Sequence, residues 1–297
     1  MMAAGNTPHD VPALHVPPGH HYSPIPAAGD IRRAPAIDGP GVPEIAGVEL
    51  YEAEQWELLG QLLPSYPEIA DWLGSDAPRR FTLDNTWFAG ADAVCLALMI
   101  RHLIPARIVE VGSGFSSALL LDVAETFLPE PPRFTFIEPD PVRLRSLVRP
   151  PDLVNRLRTT QVQDVELAAF TALAAGDVLT IDSSHVLKAG SDVHYLFLEV
   201  FPRLAPGVWI HLHDIFHPFE YPAHWLAEGV ALNEAYALRA LLQSNSRLRI
   251  VLWNHYLMRS SPTWFAAHMP LCLSAPFVTG GIWLRVDATS DGTSATP

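Results

Sequence analysis

The residues of this chain best suited to chemistry fall in two short stretches, Asp182-Ser183-Ser184-His185 and His213-Asp214. Each directly follows an apolar run, DVLTI and VWIHL, of the kind that forms a buried strand. Tips of neighbouring parallel strands open on one crevice, so two carboxylates and two imidazoles are expected there together. An imidazole titrating near neutrality can take a proton from a hydroxyl, which makes His185 the candidate general base with Asp182 beside it. Asp182, His213 and Asp214 also read as ligands for a divalent cation. Oxygen donors favour Mg²⁺, and an imidazole shifts the preference toward Mn²⁺ or Fe²⁺. The competing reading makes His185 and His213 loop-ordering residues bonded to backbone carbonyls. His211 is expected to turn away from the crevice as a core histidine, whereas His217, Glu220 and Tyr221, in a loop stiffened by Pro218 and Pro222, are expected to line the substrate side. Trp225, Asn233, Glu234 and Tyr236 read either as substrate contacts or as helix packing.

A second constellation precedes the first. In IVEVGSGFSS a glycine-rich turn follows an apolar strand and opens a helix. Gly112 and Gly114 let the backbone approach a ligand, and Ser113, Ser116 and Ser117 surround the free N–H groups of the helix start. A dinucleotide fingerprint would place a third glycine where Ser117 stands, so that reading is weakened. Glu138, at the tip of the next strand, can accept hydrogen bonds from both hydroxyls of an adenosine ribose. Asp164, after the third strand, reads either as an acceptor for the adenine amino group or as a helix cap. Glu110, just before the turn, needs a partner for a buried carboxylate, and a ligand's cationic amino group would serve.

The elements that must position these residues alternate in the manner of a parallel sheet covered on both faces. Strands are expected at 107–111, 134–137, 159–162, 177–181, 208–212, 249–253 and 281–286, with helices at 84–103, from 116, from 141, 193–204 and 222–243. The expected fold is α/β, a Rossmann-like seven-stranded, mostly parallel sheet with an N-terminal helical cap. Residues 1–44, holding nine of the 28 prolines and His9, His15, His20 and His21, read as an irregular solvated arm. Residues 45–104 form the cap, 105–286 the ligand-binding domain, and 287–297 a disordered tail.

Composition narrows the function. A hydrophobic share of 49% and a charged share of 17% describe a globular chain. A net charge of −13 opposes a nucleic-acid backbone and favours small-molecule partners. No apolar stretch is long enough to span a membrane, and the start does not read as a secretory signal. Cys95 and Cys272 lack the spacing of a disulfide framework or zinc ribbon, in keeping with a cytoplasmic protein, and a homo-oligomer stays open.

The set EVGSGFSS, FIEPDP, QVQDVE, IDSSH and HLHD, in this order, resembles the class I S-adenosylmethionine (SAM) dependent methyltransferases over roughly residues 84–286. The resemblance implies that Glu110, Gly112 and Gly114 hold the methionine end of SAM, Glu138 the ribose, and Asp164 the adenine. The stretch from Asp182 to Trp225 is similar to bacterial natural-product and sugar O-methyltransferases, and Asp182-Ser183-Ser184-His185 with Asp214 to the macrocin-type, metal-dependent group, from which His213 departs. Transfer of a methyl group to a hydroxyl of a sugar or secondary metabolite is therefore expected. A metal-independent transferase, a SAM-fold enzyme of other chemistry such as metal-dependent oxidation, and an adenosine-sensing module are the alternatives.

Overall fold

A computed structural model describes residues 15–39 and 41–288 of the chain. Seven strands, β1 (Arg107–Val111), β2 (Arg133–Ile137), β3 (Leu157–Arg158), β4 (Val178–Ile181), β5 (Trp209–His213), β6 (Leu248–Trp253) and β7 (Gly281–Val286), form one sheet in the order β3-β2-β1-β4-β5-β7-β6. All neighbours are parallel except β7, which runs antiparallel to both β5 and β6. The central strands read as unbroken apolar runs because helices cover both faces of the sheet. Chain order reverses between β1 and β4, so a crevice opens beyond their carboxyl ends. This is the expected Rossmann-like architecture.

Helices α1 (Glu52–Leu62) and α2 (Tyr66–Gly74) precede the sheet, and α3 (Gly90–Leu103) packs against α4 (Phe115–Phe127), which starts at the glycine turn. Arg80 braces this layer from below, its buried guanidinium bonded to Asp122, Glu125 and Asp152. Further helices are α5 (Val142–Leu147), α6 (Asp192–Tyr195), α7 (Ala223–Ala227), α8 (Glu234–Gln243), α9 (Asn254–Ser260) and α10 (Pro262–His268).

Several boundaries differ from the sequence reading for identifiable reasons. The helix expected from residue 84 begins only at Gly90, because the Asn85 side chain accepts the N–H groups of Trp87 (2.9 Å) and Phe88 (2.7 Å) and holds a turn instead. The helix expected over 193–204 passes through a π turn at Leu196–Val200 and a 3₁₀ turn at Phe201–Arg203, where Pro202 cannot supply a helical N–H. The stretch 222–243 divides into α7 and α8 around Gly229, whose φ is +83°. β3 is only two residues long and ends at Arg158, before the strand expected at 159–162.

The expected solvated arm is docked in part. Ile37 is buried, and Arg259 Nη2 donates to the carbonyls of Gly39 (2.9 Å) and Gly41 (2.7 Å). His9 and residues 289–297 of the expected tail lie outside the described residues, whereas Asp287 accepts hydrogen bonds from Arg249 and Arg285. Among the described residues no helix is long and apolar enough to cross a membrane.

Candidate active site

The crevice consists of two adjoining clefts. The first, about 440 Å³, runs past Gly112, Glu138, Gln161, Gln163, Asp182 and Ser183. The second, about 540 Å³, shares Gly112, Glu138, Asp182 and Ser183 with it and continues over Ser113, Gly114 and Ser116 to His185, His213 and Asp214. Both volumes suit small-molecule sites.

The glycine turn is held almost entirely by backbone and buried side chains. Gly112 has a φ of +77°, and a Cβ there would lie 1.7 Å from the carbonyl oxygen of Asp182. No other residue fits. Glu138 steadies the turn, its Oε2 accepting from Ser113 N–H (3.0 Å) and its Oε1 from Asp140 N–H (2.8 Å), while its remaining lone pairs face both clefts. Ser117 lines neither cleft. Its hydroxyl accepts from Gly114 N–H (3.0 Å) and donates to Glu110 Oε2, so it braces the turn where a third glycine would have left a gap. Glu110 is likewise buried beneath the turn, with its Oε1 unpartnered, and burial pushes its carboxyl up to about 7 against the hydrogen bonds of Ser117 and Ser116.

Asp164 is placed elsewhere. It ends a 3₁₀ turn, is exposed, and lines neither cleft. Because β3 stops at Arg158, the chain curls back and brings Gln161 and Gln163 to the wall instead. Gln163 donates to Gly190 carbonyl (2.9 Å) and keeps a buried Oε1 without a partner.

The floor of the second cleft is a row of alternating carboxylates and imidazoles. Asp92 Oδ2 lies 3.3 Å from His213 Nε2; His213 Nδ1 lies 3.3 Å from Asp182 Oδ1; that oxygen lies 3.2 Å from His185 Nε2; and His185 Nδ1 lies 2.8 Å from Glu234 Oε2. Burial works against charge throughout, yet the pairing prevails. Asp182 and Glu234 hold the His185 imidazole well above its ordinary value, Asp214 and Asp182 do the same for His213, and both rings hold Asp182 well below the usual carboxylate range. Asp214, more weakly paired, is raised by burial. His185 and Asp214 both sit at positive φ, +57° and +55°, conformations that L residues adopt at a cost of about 1–2 kcal/mol each. The carbonyl of His185 accepts N–H bonds from Asn233 (3.0 Å) and Glu234 (3.1 Å), so the start of α8 grips this residue by backbone and side chain together.

Neither Asp92 nor the orienting contact of Glu234 was evident in the sequence. Both have a signal in hindsight, a carboxylate inside a buried segment, which requires a partner.

The expected cation site is not arranged as one. Among the described residues no group of three or more His, Cys, Asp or Glu side chains is disposed to hold a metal ion. The Asp182 oxygen that would face a cation faces two ring nitrogens, and the second nitrogen of His213 faces Asp92. The donor set of Asp182, His213 and Asp214 therefore does not fit a cation in this arrangement.

The loop after β5 also departs from expectation. His217, Glu220 and Tyr221 are buried and line neither cleft. His217 N–H donates to His255 Nδ1 (2.9 Å), Glu220 accepts from Tyr236, and the Tyr221 hydroxyl accepts from Ala235 N–H (2.9 Å). They brace the loop on α8 and α9, and burial with the nearby Arg259 charge lowers His217 to about 4. Trp225 does reach the cleft. His211 lies on the same face of β5 as His213, as a two-residue period requires; Phe88 approaches both rings, and burial lowers His211 to about 3.

A family model described as "Methyltransferase domain" matches residues 109–215, from the glycine turn to the tip of β5. An uncharacterized protein of Archaeoglobus fulgidus is 33% identical over 172 residues, covering 53% of this chain and 73% of its own. Residues 109–215 are thus a methyltransferase domain, and the expectation of a methyltransferase is met in fold and in domain. Solved structures align at lower similarity. The O-methyltransferase TomG of Streptomyces achromogenes, in complex with SAM, is 15% identical with a TM-score of 0.44, covering 81% of this chain and 92% of that one. An O-methyltransferase of Bacillus cereus is 14% identical with a TM-score of 0.46, covering 79% and 91%.

Proposed function

We propose that this methyltransferase takes its methyl group from SAM and transfers it to a hydroxyl of a small molecule, with His185 as general base. The observation that carries the reading is the placement of the His185 ring, which lines the same cleft as the glycine turn while its far nitrogen is tied to Glu234. SAM fits what the crevice offers. Gly112 lets the turn pack directly on the Asp182 backbone at the mouth of both clefts, Glu138 lines both clefts at the tip of β2, and the buried Glu110 and Gln163 each keep an acceptor oxygen without a partner. Gln163 replaces Asp164 in this reading as the acceptor nearest the adenine.

When bound, SAM supplies a methyl group on a positively charged sulfur, which leaves with the bonding electron pair. The protein must hold the acceptor oxygen in line with that methyl and remove its proton. Glu234 holds the Nδ1–H of His185, and Nε2, set against Asp182, becomes the proton acceptor once the imidazole has lost the proton that the two carboxylates favour; it then takes the hydroxyl proton as the carbon–oxygen bond forms. Asp182, 3.2 Å from that nitrogen, then stabilises the imidazolium. No step runs through a metal ion. Calorimetric titration tests the cofactor half: SAM is expected to bind with NAD showing no heat, and binding of NAD in preference to SAM overturns the reading.

A further inference from the structure

The second cleft has a divided character that bears on its occupant. Beside the carboxylates and imidazoles of its floor it carries the hydrogen-bonding groups of Ser113, Ser116, Glu138, Arg143 and Ser183. A large part of the lining is apolar, with Trp87, Phe88, Phe115, Trp225, Phe277 and Val278 drawn from four separate segments. Trp87 is 55% exposed at the rim, with Arg143 stacked 3.8 Å from its ring centroid, and Trp225 stands edge-on to Phe216 with 5.7 Å between centroids. An exposed tryptophan at a cleft rim offers a planar ligand a large apolar surface to cover.

We propose that the acceptor is a phenol, a hydroxyl carried on a planar aromatic ring, held among Trp87, Phe115, Trp225 and Phe277 with its oxygen beside His185. The proposal rests on the methyl-transfer reading above and narrows its substrate class. A sugar presents hydroxyls around its whole rim, and those set against the aromatic side chains would lose water without gaining a partner. A planar ring places its faces on aromatic side chains and needs polar contact only at the hydroxyl, which is where the imidazole stands. Proton affinity points the same way. A phenol loses its proton near pH 10, against nearly 16 for water, so an imidazole base has about six fewer pH units to bridge. The products balance as S-adenosylhomocysteine, the aryl methyl ether and one proton, passed from the phenol oxygen to His185 Nε2.

The test is ligand binding to the full chain saturated with S-adenosylhomocysteine, read by calorimetry and by quenching of tryptophan fluorescence, with 2-naphthol and methyl glucopyranoside as probes. Naphthol is expected to bind at least tenfold more tightly than the glucoside, and Trp225→Leu and Phe277→Leu are each expected to weaken naphthol about tenfold without changing the cofactor-product affinity. Equal or tighter binding of the glucoside, no naphthol binding, or naphthol binding that both substitutions leave untouched overturns the phenol assignment while SAM chemistry stands. Failure of S-adenosylhomocysteine itself to bind overturns both.

Discussion

The two halves of the crevice are built by different means. On the side proposed for the cofactor a single ten-residue segment supplies the turn, with backbone N–H groups, a glycine that tolerates no Cβ, and buried serines beneath. On the acceptor side the floor gathers Asp92 from α3, Asp182 and His185 beyond β4, His213 from β5 and Glu234 from α8. A site made of contiguous backbone fails sharply when its geometry is disturbed. A site made of side chains from distant segments fails in graded steps, one partner at a time.

Substitutions can break or sharpen that contrast. His185→Ala is expected to have the largest effect, lowering kcat by roughly a thousandfold, within the usual contribution of a general base, while calorimetry shows SAM affinity unchanged. A loss of SAM binding would show that the halves are not separable. Gly112→Ala should act in the opposite sense, abolishing SAM binding and lowering Tm by roughly 10 °C, since positive φ and overpacking together cost about 2–5 kcal/mol. Normal SAM affinity in that variant would refute the backbone cradle.

Glu234→Gln keeps the shape but removes the charge that helps raise His185. A base acts only when deprotonated, so turnover should rise with pH through the His185 pKa, and in the variant that limb should move to lower pH with kcat reduced about tenfold. An unmoved limb would mean that Glu234 only props the loop. If Glu110 meets the cationic end of SAM as proposed, the cofactor side has its own pH dependence. Raised to about 7, it is mostly protonated at pH 6 and ionised at pH 8, so SAM should bind roughly tenfold more weakly at pH 6 by titration calorimetry. Affinity that is level across this range would remove Glu110 from the site. The smallest effect is expected from chelation. Because the carboxylates are paired with imidazoles, dialysis against EDTA should leave kcat within about twofold, and loss of turnover restored by Mg²⁺ would show that the row opens to admit a cation.

The same contrast explains what could be read from the chain. Six of the seven strands and the glycine turn were legible because apolar runs, a glycine at a strand end and a carboxylate at the next tip are local signals. Asp182, His185, His213 and Asp214 were legible as neighbours because strand tips converge. The partners Asp92 and Glu234 were not, since their side chains meet imidazoles 121 and 49 residues away, a separation that no local pattern encodes. Asp164 failed through register, as β3 ended before its expected start. His217, Glu220 and Tyr221 failed because a loop rich in Phe and Tyr folded inward and took its polar groups with it.

The contact between Gly112 and the Asp182 carbonyl has a mechanical consequence. Asp182 N–H bonds to Val111 carbonyl (2.8 Å) and Gly112 N–H to Ile137 carbonyl (3.0 Å), so three strand tips are riveted together where the cofactor and acceptor sides meet. In the proposed reading the methyl group crosses at these joined strand tips, so the span between donor and acceptor is set by sheet hydrogen bonds rather than by side chains.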